Sequence, residues 1–454
     1  MKNIYAFVLF FALVAVCQST FAQRSDSTRI DELEKRLEQS LRQIEQLTRE
    51  IRQLRDARPS DASTAIKPAA SEPVSQTVAR QGARIEELEQ QVNQISAAGL
   101  RPRQSSGIPL HGFADVGGGY SRQNNQFAQG PRGFSVGSLG LYLTPSFGDR
   151  VKTLAELIFE VGADGELATD LERLQLGYTF SDALTAWGGR FHTPFGYWNT
   201  AFHHGQQIQT ALTRPRFLDF EDRGGVLPVH TTGAWLTGGI PVNGGNFGGH
   251  FNYDFYLGNG PRINIDGAAP APGGTLNPNS GSDNDHSALV GMRLEYALNS
   301  LEGAKLGFHG LRSRVRDNDA TVNRTQLQFF GPYFVFDNDD WEILAEAYRF
   351  RNRDLTGANG TRASSAWYLQ AGRQFGDWTP YARIEAARLD QTDNYFRMQN
   401  NGRSYHRGGF GLRYELNNTS ALKIELARTL LRAARVGALD DRFGEIRAQF
   451  SVRF

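Results

Sequence analysis

The last ten residues of the chain alternate without a break. Ile446, Ala448, Phe450, Val452 and Phe454 fall on one face of an extended strand, and Glu445, Arg447, Gln449, Ser451 and Arg453 fall on the other. The same two-residue period recurs through 108–454: Phe251, Tyr253, Phe255 and Leu257 oppose His250, Asn252 and Asp254, and Leu422, Ile424 and Leu426 oppose Lys423 and Glu425. Segments of about ten residues with this pattern suit a sheet that has one face in an apolar medium and the other in water. No stretch of this region reads as a long amphipathic helix.

Sixteen such segments can be counted, from 109–120 to 440–454. Every second connection is a tight turn, as at Ser181-Asp182, Gly376-Asp377 and Asn417-Asn418-Thr419, and longer polar loops lie between, above all 193–231 and 259–285. A soluble sandwich has no reason to sort its loops by end, whereas a transmembrane barrel does. The expected fold is therefore all-β: a 16-stranded antiparallel transmembrane β-barrel over 108–454, its apolar face outward. Both ends of the barrel fall on the short-turn rim. The composition agrees, with 49 Gly and 30 Phe but a single Cys.

The N-terminus carries Lys2, an apolar run from Ile4 to Val16 and Phe21-Ala22 before Gln23. This is the layout of a secretory signal peptide over 1–22, whose removal would leave a chain without cysteine. Next, Ile30, Leu33, Leu37, Ser40, Ile44, Leu47, Ile51 and Leu54 repeat at alternating spacings of three and four, with Glu, Arg, Lys and Gln between them. The pattern predicts a coiled coil over 23–57, a rod of roughly 37 Å at about 1.5 Å per residue. A Pro/Ala/Ser linker (58–76), a second short coiled coil (77–98) and a linker (99–107) complete the approach to the barrel. A seam of this kind buries itself by self-association, so an oligomer is expected.

A leader, an N-terminal coiled coil, sixteen strand signals and a terminal Phe454 after Phe450 and Val452 resemble the trimeric outer-membrane porins. The likeness is strongest to the phosphate-selective porin O and P type and extends to dicarboxylate-taking porins with a coiled-coil periplasmic extension. The resemblance implies a homotrimer in the outer membrane of a Gram-negative bacterium, surrounded by its lipid, that admits small solutes such as phosphate or other anions. It implies that the coiled coil hangs in the periplasm. It also implies that Phe454 is the signal read by the barrel-assembly machinery, and that the third external loop, here 193–231, folds inward as the constriction.

That loop is long for a segment without regular structure, and its aromatics (Phe195, Tyr197, Trp198, Phe202, Phe217) argue for order. Its candidate constriction residues are Arg190, His203, His204, Arg214, Arg216, Asp219, Glu221, Asp222 and Arg223. Arg173, Asp254, Arg293, Arg383, Arg413 and Arg447 are candidate lumen charges, joined by Arg407, Glu156, Glu295, Glu385, Glu415 and Glu445. Mixed signs predict weak anion preference at most, because charge rings at a narrow point set selectivity. His192, His203, His204 and His230 lack supporting Cys or carboxylate spacing, so no metal or cofactor is expected. Asp266, Asp283, Asn284 and Asp285 read as an ordinary surface loop. The balance of 49 Lys+Arg against 48 Asp+Glu excludes a nucleic-acid partner. No nucleophile elbow, phosphate loop or H-E-x-x-H occurs, and no enzyme is expected. The alternative function is a plugged barrel acting as a structural tether, its coiled coil reaching the peptidoglycan.

Overall fold

In a computed structural model of the chain the described residues are 110–454, apart from 122–131, 163–164, 203–206, 222, 266–273, 278–287, 318–322, 358, 400 and 434–439. The expected leader, both coiled coils and their linkers lie outside them. Nineteen strands form one sheet. They are β1 (Leu110–Ser121), β2 (Gly133–Leu143), β3 (Ser146–Phe147), β4 (Val151–Val161), β5 (Leu167–Ser181), β6 (Leu184–His192), β7 (His230–Val242), β8 (Gly249–Asn259), β9 (Arg262–Ile265) and β10 (Gly274–Asn277). There follow β11 (Ala288–Leu298), β12 (Ala304–Asp317), β13 (Asn323–Asp337), β14 (Trp341–Asp354), β15 (Thr361–Arg373), β16 (Trp378–Arg388), β17 (Tyr405–Asn417), β18 (Ser420–Leu431) and β19 (Asp441–Arg453).

Sixteen of these make the wall, each antiparallel to its neighbour in chain order once the short β3, β9 and β10 are set aside. β1 pairs with β19 from Phe113↔Arg453 to Ser121↔Glu445, so the sheet closes on itself. Closure leaves no strand edge in hydrocarbon, where each unsatisfied backbone group costs several kcal/mol. The seam is completed at the rim by reciprocal bonds between Gly112 and Phe454, the Gly112 amide donating at 2.9 Å and the Phe454 amide at 3.0 Å. All sixteen expected segments coincide with wall strands. The hairpin β9–β10 was not anticipated in the loop after β8. Its Ile263 and Leu276 are buried, and β9 runs parallel to the end of β12.

The two faces are inverted relative to a soluble protein. Leu176, Leu257, Phe410, Ile424 and Leu426 point outward and are exposed, whereas Glu346, Glu425 and Arg407 point inward and are buried. Along β14 the outward residues run Trp341, Ile343, Ala345, Ala347 and then Arg349, Arg351, Arg353; along β18 they run Leu422, Ile424, Leu426 and then Arg428. Outward aromatics gather at the opposite, short-turn end, where Trp378 and Tyr414 meet with ring centroids 4.3 Å apart and planes tilted by 37°, and Arg373 lies over Trp341 at 5.0 Å. An apolar belt bounded by aromatics and cations is the outer surface of a membrane-spanning barrel.

Candidate functional site: the loop inside the barrel

Residues 193–229 leave the end of β6 and return at the start of β7. In a closed wall of sixteen, β16 and β17 stand across from that hairpin, and the loop is bonded to them and their neighbours. Glu346 on β14 accepts from the amides of Tyr197 (3.1 Å) and Trp198 (2.7 Å), and from the hydroxyls of Tyr348 (2.6 Å) and Tyr368 (2.7 Å). Gly196 sits at φ +60°, and a Cβ there would lie against Glu346 Oε2 and the Tyr348 hydroxyl. Only glycine lets the backbone pass so close with that torsion. On β11, Arg293 donates to Thr200 Oγ1 at 2.5 Å.

A second group of anchors holds 209–217. The Leu212 amide donates to the Tyr381 hydroxyl at 2.9 Å, the Thr213 hydroxyl to Glu425 at 2.6 Å, the Arg216 amide to Glu385 at 2.7 Å and the Phe217 amide to the Tyr405 hydroxyl at 3.1 Å. Arg383 closes this set from β16, donating to Thr213 O and Thr213 Oγ1 (both 2.7 Å) and to Arg214 O (3.1 Å). Lys423 and Arg413 donate to Gln209 O at 2.5 and 2.8 Å. The inward tyrosines of β14 to β17 each donate a hydroxyl hydrogen bond to a carboxylate that also takes a loop donor. Between these polar anchors Phe195, Trp198, Phe217 and Phe220 are buried, with Phe217 edge-on to Tyr348 at 4.9 Å. The described residues of the loop thus form an ordered partition across the lumen.

The expected constriction residues have diverse fates. Arg214 is buried and donates to Leu218 O (2.9 Å), Phe202 O (3.0 Å) and Asn199 Oδ1 (3.2 Å), with its guanidinium 4.1 Å above the Phe220 ring. Burial pulls that guanidinium down to about 10, with Asp219 acting in the opposite direction, so it stays charged at neutral pH. Arg216 is also buried and donates to Asn401 Oδ1 at 2.9 Å. Arg214 thus turns its charge onto the loop's own carbonyls, which need donors, whereas Arg216 carries its charge out of the loop to Asn401 and the Tyr405 ring, 5.7 Å away. Asp219 caps the Phe220 amide at 3.1 Å, Glu221 accepts from the Val229 amide at 2.9 Å, and Arg223 pairs with Glu160 on β4. Arg190 donates to Glu172 O at 2.9 Å. His203, His204 and Asp222 lie outside the described residues.

The candidate lumen charges all point inward, and carboxylates accompany the arginines. Arg173 meets Glu156 at 2.5 Å, Arg293 meets Asp254 at 2.7 Å and Arg447 meets Glu445 at 2.8 Å, while Arg413 pairs with Glu415. Arg407 lies among Glu385 (3.5 Å), Glu425 (3.4 Å) and Glu445 (2.5 Å). Glu342, Glu346 and the tyrosines were missed, although alternation alone puts Glu346 and Tyr348 inward, opposite Ala345 and Ala347. His192 and His230, set aside in the sequence for want of a carboxylate, are joined by one that alternation did not reveal: Glu172 is buried with them at the neck of the loop.

A closed sixteen-stranded barrel with an apolar exterior, a charged interior and a loop folded across its lumen belongs to the class of transmembrane β-barrels. No family model matches the sequence, and no curated protein does. Among solved structures, an anion-selective porin from Comamonas acidovorans is 14% identical over 77% of this chain and 100% of its own, with a TM-score of 0.49. The outer-membrane channel DcaP of Acinetobacter baumannii is 11% identical over 78% and 100%, with a TM-score of 0.49. OmpF of Salmonella typhi, solved with daunomycin, is 12% identical over 76% and 97%, with a TM-score of 0.45. At these values no function transfers, and the barrel is defined by its own pairing.

Proposed function

We propose that this barrel is a porin of a Gram-negative outer membrane, a water-filled channel for passive diffusion of small hydrophilic solutes, narrowed by residues 193–229. The observation that carries the reading is the loop's attachment to the far wall: a partition held by Glu346, Glu385, Glu425 and Arg383 sets a fixed aperture. The long-loop end faces the exterior and the short-turn rim, with both chain ends of the barrel, faces the periplasm.

The lumen's cations sit beside carboxylates, which supports weak ion preference and gives phosphate no privileged place among small anions. Self-association into a homotrimer, through the N-terminal repeats and the barrel wall, belongs to the same reading, as does recognition of Phe454 during assembly. Purified protein in planar bilayers is expected to give stable conductance steps and a reversal potential near zero in a salt gradient. Absence of any conductance would refute the channel and favour the tether.

A further inference from the structure

The outermost register pair of β6 and β7 is His192 opposite His230, the residues that bracket the inserted loop. Both are buried, with ring centroids 4.6 Å apart and the Nε2 atoms 3.2 Å from each other. A third side chain reaches them from β5. The ladder between β4 and β5 shifts register between Glu156 and Leu157, so Glu172 is an extra residue turned inward, and its Oε2 lies 2.6 Å from His230 Nε2. Bulges commonly serve to re-aim a side chain in this way.

We propose that Glu172, His192 and His230 form a binding site for a divalent transition metal of the zinc class. Four features support this. The two Nε2 atoms converge to 3.2 Å, a spacing that one shared proton or one bound cation between them satisfies. Zinc–nitrogen bonds of about 2.0–2.1 Å in tetrahedral geometry separate two ligands by about 3.3 Å, close to the spacing present; Glu172 would retreat by about 0.7 Å. Each ring has an oxygen at its other nitrogen, His192 Nδ1 standing 3.3 Å from Asn199 O and His230 Nδ1 standing 3.4 Å from Glu221 Oε2. Partners of this kind hold the proton on Nδ1 and direct Nε2 toward a metal. Finally, two imidazoles and one carboxylate suit zinc rather than calcium or magnesium, and leave a fourth position for water.

The neighbouring cation is Arg190, whose Nη2 lies 3.5 Å from Glu172 Oε2 and 3.9 Å from the exposed Asp170. On metal binding its guanidinium is expected to turn toward Asp170. The metal would join β5, β6 and β7 where the inserted loop begins and ends, clasping the loop at its base. This assignment is independent of the channel reading.

The test uses the full chain, purified without a polyhistidine tag, stripped with EDTA and dialysed. Wild type is expected to bind one Zn²⁺ per chain in calorimetry and to show the visible absorption of tetrahedral Co²⁺ when loaded with Co²⁺. H192Q, H230Q and E172Q are expected to lose that absorption, and E221Q to weaken Zn²⁺ binding about 10–100-fold. E172Q preserves side-chain shape and so guards against a folding defect; heat-shifted migration on gels confirms the barrel in each variant. No Co²⁺ band in wild type, or unchanged Zn²⁺ affinity in H192Q and E172Q, would overturn the site and leave a shared proton between the rings.

Discussion

Removing the Glu346 carboxylate is expected to release one end of the inserted loop and spare the other. Its Oε1 takes the amides of Tyr197 and Trp198 at 3.1 and 2.7 Å. A hydrogen bond to a charged group contributes about 1.5–3 kcal/mol, so these two supply at most about 3–6 kcal/mol of local docking. Water entering the space would restore part of that, and each 1.4 kcal/mol is tenfold in a population, so amide exchange at 197 and 198 should quicken about 10²-fold or more in E346A. E346Q keeps one carbonyl acceptor at the same depth and should show a smaller rise, about tenfold. Peptides over 209–217 should exchange as in wild type, because Tyr381, Glu425, Glu385 and Arg383 hold that part independently. Hydrogen exchange read by mass spectrometry separates the two regions. If exchange at 197–198 were unchanged in E346A, the carboxylate would not be the anchor. If protection at 209–217 collapsed as well, the two anchors would be one cooperative unit and the sum above would be wrong.

Other perturbations test different parts of the molecule. R407A leaves Glu385, Glu425 and Glu445 without the cation they share, and breaking such a buried group typically costs about 3–5 kcal/mol; the reversal potential should move toward cations more than in R214A R216A, and equal shifts would return those two residues to the lumen. Gly196→Ala places a methyl against Glu346 at a positive φ and should mimic E346A in exchange; wild-type protection would deny the close approach. Burial pushes the Asp393 carboxyl up to about 6, against bonds from the Tyr395 amide and Asn352 that favour the ion. An acid that rises on folding holds its proton more tightly when folded, so protection of 389–404 should fall as pH rises from about 4 to about 6 and then level off. Asp393 caps the helical turn Asn394–Arg397, and an Asn there would still cap it but could not titrate, so D393N should show no such pH dependence. Deleting residues 24–106 should leave conductance intact if the barrel is a channel, whereas loss of cell-wall attachment as the sole defect would favour the tether.

Wall strands were legible in the sequence because a barrel imposes one rule on every segment. Outward positions meet an apolar medium, inward positions meet water or charge, and the period of two shows through each strand. The short turns were legible for the same reason, since Ser181-Asp182 and Gly376-Asp377 break the period sharply. The hairpin β9–β10 was hidden because its strands are four residues each and the pairing of β9 with β12 is set by tertiary contact. Within the loop, sequence placed the aromatics and charges in one segment but could not say which way they turn. Arg214 faces the loop's own oxygens because a chain that crosses a lumen without regular structure leaves carbonyls unpaired, whereas Arg216 reaches from the loop to Asn401. The Glu172 contact was invisible for a geometric reason: a bulge turns it to the same side as Arg173, and bulges have no fixed signature in side-chain alternation.

The inward charges also show why a charge count cannot give the selectivity of such a barrel. Arg383, Arg413 and Lys423 spend donors on loop carbonyls, and Glu346, Glu385 and Glu425 spend acceptors on loop amides and hydroxyls. These groups build the partition and are buried by it, so under the channel reading a passing ion would feel chiefly the residual field of arginines that stay partly open, such as Arg173 beside the buried Glu156. Neutralising a cation that holds the loop therefore changes two things together, the field and the aperture. A variant that shifts reversal potential at constant conductance, as R173Q is expected to do, reports the field alone; a change of conductance in R173Q would mean that this wall too supports the partition.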